Sequence, residues 1–270
     1  MQLSFNNTIS CEKKMRLTIT FQALEPIAKF PLHYNYALQS FIYHHISTNL
    51  ANFLHNKGYR YEKRVFRLFT FSRLLGKYQI EKNSEITFTG SFKLQIGSPI
   101  KDLLEEFAET LARAPEVSIE NNSLLVSSIE VYLPPAPVQS SSIRMLSPIV
   151  VYSTLSTFNG KKKTYYYSPF EREFSNLIQK NLLKKYISFY DAKPALTEFK
   201  LSPIRVDKRS EKIIKYTPKK GPPTIIKAWM GIYRIEGNPE LISFAWDTGL
   251  GTKTSQGFGM FEIIRERQSK

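Results

Sequence analysis

Four glycines fall within eleven residues near the end of this chain, in Gly249-Leu-Gly251-Thr-Lys253-Thr-Ser-Gln256-Gly257-Phe258-Gly259, between two apolar runs. Glycine admits positive φ and carries no Cβ, so the segment must be a loop in which backbone comes unusually close to something else. A phosphate facing the amide N–H groups is one such partner, and a mobile hairpin tip is the bland alternative. Two familiar phosphate loops are excluded. No glycine is followed by Lys and then Ser or Thr at P-loop spacing, and Thr254 stands where a dinucleotide fingerprint needs glycine. Nucleotide-cofactor chemistry is unsupported, and no cofactor is expected. Met260 to Ile264 alternates as a closing strand would.

The 270 residues suit two domains of about 100–150 residues, each with its own core. No apolar run approaches the roughly 18 residues that span a bilayer, and no basic-then-apolar leader opens the chain. A cytoplasmic protein with no membrane partner is expected. The single cysteine, Cys11, allows neither an internal disulfide nor a thiolate metal site.

Net charge is +15, and it is regional. Residues 1–150 carry 16 basic and 12 acidic side chains, whereas residues 161–234 carry 18 and 6. Lys161, Lys162 and Lys163 follow an Asn-Gly turn pair, and Lys184, Lys185, Lys208, Arg209, Lys212, Lys215, Lys219 and Lys220 continue the enrichment. Tyr165, Tyr166, Tyr167, Phe189 and Tyr216 are interleaved. Such a patch neutralises phosphates, and aromatics beside it stack on unpaired bases. Solvated lysine loops are the alternative.

Periodicity predicts a strand at 15–23, helices at 35–46 and 49–56, strands near 65–73 and 86–96, a helix at 100–113 and a strand at 124–132. After Pro134-Pro135-Ala136-Pro137 and the Ser-rich stretch to 142, a linker, come a strand at 143–154, a hairpin near 160 and a helix at 169–187. Strands near 196–207, 224–235, 240–246 and 257–264 follow. Residues 1–14 form an N-terminal extension, 15–133 the first domain, 134–142 the linker and 143–270 the second domain. The fold class is α+β, with two tandem ferredoxin-like (RRM-like) β-α-β-β-α-β domains, the second irregular because its second helix is not evident. Gly257-Phe258-Gly259-Met260-Phe261 only partly matches an RNA-recognition strand, with Gln256 in place of a basic residue, which argues against base stacking on the sheet face.

All four histidines, His33, His44, His45 and His55, fall within 23 residues. None is four residues from another, and no cysteine or paired carboxylates complete a shell, so no metal site is expected. His45 shares the apolar stripe of Leu38, Phe41 and Ile42 and reads as a packed residue. Tyr43 points away from that stripe, and His44 lies on its flank. Ser47-Thr48-Asn49 recaps the chain into a short helix ending at Gly58, with His55 in its last turn beside carbonyls. Capping the helix and performing chemistry are both open to it.

The glycine segment resembles the C-terminal signature of the CRISPR-associated repeat-processing endoribonucleases, the sixth Cas family of the RAMP superfamily. Met15 to Phe21 and Tyr34 to Tyr43 are similar to that family's first strand and helix. Phe66 to Ser72, Ser147-Pro148-Ile149 and Tyr166 to Phe174 follow in the family's order. The resemblance implies a metal-independent endoribonuclease that cuts CRISPR repeat RNA into guide units. It implies His55 as the catalytic histidine, Tyr43 as the active-site tyrosine and Arg67 as a cation that is lysine in related members, with His44 the second-choice proton partner. RNA contacts are expected from Lys161, Lys162, Lys163, Lys208, Arg209, Lys212, Lys219, Lys220 and Lys253, and from Gly249, Gly251, Gly257 and Gly259. Other Cas subunits and a second copy of the chain are candidate partners. The alternative is a non-cleaving RNA-binding subunit of a CRISPR ribonucleoprotein.

Overall fold

The computed structural model describes residues 15–82, 84–156, 160, 162–217 and 222–264. The expected N-terminal extension, and the candidate contacts Lys161, Lys219 and Lys220, lie outside them. No helix among the described residues is long and apolar enough to cross a membrane.

The first domain runs β1 (Arg16–Ala23), β2 (Ile27–Pro31), α1 (Asn35–His44), α2 (Thr48–Asn52), β3 (Tyr59–Tyr61), β4 (Arg64–Phe66), β5 (Thr70–Phe71), β6 (Leu75–Ile80), β7 (Glu85–Gly97), α3 (Lys101–Arg113), β8 (Glu116–Ile119) and β9 (Asn122–Tyr132). Leu17, Ile19 and Phe21 alternate along β1, which is paired antiparallel with β7 on one side and β9 on the other. Leu38, Phe41 and Ile42 of α1 and Leu103, Leu104, Phe107 and Leu111 of α3 follow helical spacing and close over that sheet. β2, β5 and β6 all pair with β7, so one long strand carries three short partners.

The second domain runs β10 (Ser140–Met145), β11 (Tyr152–Ser156), β12 (Lys162–Tyr166), α4 (Arg172–Tyr190), β13 (Phe199–Arg205), β14 (Glu211–Tyr216), β15 (Thr224–Trp229), β16 (Ile232–Gly237), α5 (Pro239–Thr248) and β17 (Phe261–Ile263). Its sheet has the order β13-β16-β10-β17. With α4 and α5 between strands, this is the ferredoxin-like succession, interrupted by two antiparallel ribbons, β11–β12 and β14–β15.

The expected strand at 240–246 is instead α5. Asn238 caps it, its Oδ1 accepting from Glu240 N at 2.9 Å, and Pro239 occupies the first turn. Leu241, Ile242, Phe244, Ala245 and Trp246 are all buried, so the segment shows no polar face from which a period could be read. The expected strand at 224–235 breaks at Gly231, whose φ is +135° and whose Cβ would lie 2.8 Å from the Arg205 carbonyl oxygen. The expected strand at 65–73 is two short pieces separated at Leu68, which has φ +51°. The expected strand at 143–154 divides into β10, which begins at Ser140, and β11.

One apolar cluster runs through both domains, from Leu17 and Phe92 to Tyr233 and Phe244. Arg16 crosses the joint, donating to the Phe261 carbonyl at 2.6 Å and to that of Trp246, with its guanidinium 4.0 Å from the Trp246 ring centre. The two domains are thereby held as one body.

Candidate active site and RNA interface

His55 is positioned from both ends. Ser47 caps α2, its Oγ accepting from Leu50 N at 3.3 Å, and Glu106 of α3 accepts from Ser47 N at 2.8 Å. After α2 the chain widens into a π-helical turn, Phe53–Lys57, where a regular helix to 56 was expected. Leu54 is buried under the turn, and Gly58 ends it with φ +58° and its N–H on the Phe53 carbonyl at 2.7 Å. A Cβ at Gly58 would lie 2.7 Å from the Phe66 carbonyl oxygen, so the turn is locked against the β3–β4 hairpin.

The His55 side chain is exposed. Its Nδ1 lies 2.9 Å from Asn56 Oδ1, which only accepts; in the neutral tautomer that donates from Nδ1, Nε2 presents its lone pair. The Tyr43 ring is 6.5 Å from the imidazole, centre to centre, and edge-on to it. Arg67 lies beside both, donating from Nη2 to the His55 carbonyl at 3.2 Å while its charge acts on the Tyr43 hydroxyl. Burial pushes the Tyr43 hydroxyl up to about 12, against the opposing charge of Arg67, so it stays protonated at neutral pH. His55, Tyr43 and Arg67, 24 positions apart at the extremes of the sequence, thus form one constellation.

The other histidines lie elsewhere. His44 folds back on its own helix, with Nδ1 2.7 Å from the Ser40 carbonyl. The His45 ring packs on Phe41 and Phe107, and burial lowers its basicity, as befits a core residue. Burial and the nearby cations Lys215 and Arg73 lower that of His33. Among the described residues no three His, Cys, Asp or Glu side chains cluster to hold a metal ion.

The glycine loop turns inward. Gly249, Gly251, Gly257 and Gly259 are all buried with φ between +74° and +81°. A Cβ would lie 2.0 Å from the Leu250 carbonyl oxygen at Gly259, and 2.5 Å from Phe71 Cε2 at Gly257. The amides of Gly249, Gly257 and Gly259 donate to the Ala245, Thr254 and Pro148 carbonyls. The close approach required of these glycines is therefore to the protein's own chain, and the amides of Gly249, Gly257 and Gly259, expected to face a phosphate, are spent on its carbonyls. Asn35 at the start of α1 donates to the Gln256 carbonyl at 2.9 Å, and Thr70 to that of Phe258 at 3.0 Å, which seats the loop on the first domain. Phe258 and Phe261 are buried, in keeping with a sheet face closed to bases.

Between the loop and β4 lies a cleft of about 200 Å³, lined by Val65 to Leu68, Thr254 to Gln256, and three cations, Arg67, Lys185 and Lys253. Lys253, whose basicity burial lowers, sits 5.6 Å over the Tyr152 ring and ties the β11–β12 ribbon to the loop. Lys162 and Lys163 are exposed on that ribbon, which is bound to its neighbour by Tyr166 Oη donating to the Ile225 carbonyl at 3.1 Å. Lys208 and Arg209 lie on the turn into β14 and Lys212 at its start; Arg209 pairs with Asp207 at 3.3 Å and Lys212 donates to the Arg209 carbonyl.

Lys57, Arg60, Lys63 and Arg64, all exposed around the His55 turn, escaped the sequence reading. With Arg67 they place five cations in eleven residues, a signal lost when charge is summed over the whole first half.

Two family models match the chain in succession: the N-terminal domain of CRISPR-associated protein Cas6 over residues 29–130, and its C-terminal domain over residues 134–263. The CRISPR-associated endoribonuclease Cas6 1 of Methanocaldococcus jannaschii is 29% identical over 266 residues, covering 96% of each chain. The CRISPR-associated endoribonuclease Cas6 of Pyrococcus furiosus is 28% identical, covering 90% of this chain and 86% of its own. A solved structure of a Cas6-related protein from Pyrococcus furiosus superposes with a TM-score of 0.81 at 25% identity, covering 94% of this chain and all of that one. Two tandem ferredoxin-like domains joined through a buried glycine loop, matched over nearly their whole length by both halves of one family, place the chain in the Cas6 family of CRISPR-associated proteins.

Proposed function

We propose that this chain is an endoribonuclease that cleaves CRISPR repeat RNA without a metal ion. The observation that carries this reading is the joining of His55, Tyr43 and Arg67 on an open, cation-rich face. The names of the relatives from Methanocaldococcus jannaschii and Pyrococcus furiosus support the substrate and the reaction class.

Nε2 of His55 takes the proton of a ribose 2′-OH. The oxygen so freed attacks the adjacent phosphorus, the bond from phosphorus to the 5′-oxygen breaks, and water returns a proton to the departing oxygen. The products are a 2′,3′-cyclic phosphate and a 5′-hydroxyl. Arg67 faces the phosphorane with a fixed positive charge and gives up no proton. Tyr43, held protonated, donates a hydrogen bond to a phosphate oxygen and positions it. His44, turned back on α1, takes no part. Lys162, Lys163, Lys208, Arg209, Lys212 and Lys253 hold the RNA backbone.

The test is incubation of repeat RNA with the chain in EDTA, with the product ends identified, and then with His55→Ala. Cyclic-phosphate ends are expected, with a loss of about 10³-fold in cleavage rate in the variant and little change in RNA affinity. Cleavage persisting in the variant removes His55 from the reaction, and activity lost in EDTA requires a metal ion. Binding without cleavage by the unaltered chain makes it an RNA-binding subunit instead.

A further inference from the structure

Lys185 has an environment unlike that of the surface lysines. It lies on α4, and only 3% of it is exposed. Its Nζ donates to the Gly249 carbonyl at 2.9 Å and to that of Thr248 at 3.4 Å, closing the C-terminal end of α5. Burial holds it down to about 7, so the neutral amine is populated at neutral pH. A neutral amine has two N–H groups, both spent on those carbonyls. The ammonium has a third, which needs another acceptor.

Among the described residues no carboxylate lines the cleft to supply it, and burial is the sole influence on the amine. Arg67 and Lys253 share the cleft with Lys185. Across α4, Tyr59 and Phe189 pack ring to ring, while Lys184 lies over Tyr61. On the α5 side, Glu240 is taken by the Tyr186 hydroxyl, and Asp247 acts on Arg16. Gln256 lines the same cleft, and its Oε1 is buried without a hydrogen-bond partner among the described residues. Three cations around one cleft, one of them buried with an N–H to spare in its charged form, make a site for a phosphate.

We propose that the cleft between Arg67, Lys185 and Lys253 is a phosphate subsite of the RNA interface, with Lys185 the cation at its floor. This rests on the RNA reading above and adds to it a residue of the second domain. The entering phosphodiester accepts the third N–H of Lys185, so the empty cleft tolerates a neutral lysine and the filled one holds a charged lysine. RNA binding above pH 7 therefore takes up a proton.

The experiment measures affinity for a repeat RNA with a 2′-deoxy scissile nucleotide across a salt series, for the unaltered chain and Lys185→Met. The variant is expected to bind about tenfold more weakly, with a salt dependence shallower by about 0.7 in log–log slope, the share of one phosphate on a single strand. Calorimetry at pH 8 in two buffers of different ionisation enthalpy should show proton uptake by the unaltered chain and none by the variant. Unchanged affinity and slope in Lys185→Met overturn the proposal. So does RNA binding by the unaltered chain without proton uptake, a measurement that decides the matter alone if the variant fails to fold. Inorganic phosphate is the third arm: if it drives proton uptake while RNA does not, the cleft is a free-anion site and the proposal falls. Cleavage is scored separately with all-ribose RNA. RNA bound with the Lys185 signature yet left uncut refutes only the nuclease reading, whereas cleavage with Lys185→Met at full affinity and slope refutes only this one.

Discussion

The glycine loop and the His55 turn are both short, irregular and glycine-dependent, yet one faces the interior and the other faces solvent. The loop is walled by Leu250, Phe258 and Met260, all fully buried, and its glycines are pressed against backbone. The turn buries only Leu54 and leaves His55, Asn56 and Lys57 exposed. Its order comes from few bonds: the Ser47 cap, the Gly58 amide and Arg67. A buried seam therefore supports an exposed chemical face, a division that keeps packing from sealing the segment that admits substrate.

The sharpest way to break this contrast is Gly259→Ala. Its Cβ would lie 2.0 Å from a carbonyl oxygen at φ +77°, so a loss of about 4 kcal/mol in unfolding free energy is expected by denaturant titration. Gly90 has φ +81° but no neighbour within 4 Å, and Gly90→Ala should cost only about 1 kcal/mol. Equal losses at both would show that conformation, and not close approach, makes the loop glycines necessary.

On the exposed side, Arg67→Leu should slow cleavage about 10²-fold while leaving global stability within about 1 kcal/mol. Arg67→Lys should recover part of the rate, since charge is the property required. A large loss of stability instead would make Arg67 a structural tie.

Lys185 lies where the two regions meet, and its effect on stability has a defined sign. Its folded-state value is depressed from 10.5 to about 7, so between those limits the unfolded chain holds a proton that the folded chain does not. Its contribution to stability thus grows as pH rises from 7 toward 10.5, by about 2 kcal/mol between pH 7 and 9. Unfolding titrations at those two pH values should show the rise in the unaltered chain and its loss in Lys185→Met. Tyr43→Phe, the mildest change, should slow cleavage about tenfold without altering the pH profile, because a hydroxyl held up to about 12 does not titrate in the working range.

Much of the first domain was legible because its elements have one buried face. The spacing of Leu38, Phe41 and Ile42 and of Leu103, Leu104, Phe107 and Leu111 leaves no alternative to a helix. α5 was illegible for the opposite reason. Packed between the domains it is apolar throughout, so the sign of a helix survived only in Asn238-Pro239-Glu240. β2, β6 and β14 were missed because stretches of five or six residues carry too little pattern, whereas the Asn-Gly pair near 160 marked the β11–β12 ribbon.

The sequence by itself determined that the loop must be glycine, that His55 ends a short capped turn, and that the second half is basic, because these depend on local conformation and on charge. Only the tertiary structure decided that the loop glycines meet protein backbone, that Tyr43 and Arg67 flank His55, and that one lysine among many is buried beneath a cleft. Those outcomes depend on which surfaces the two domains press together, and no short stretch of chain contains that information.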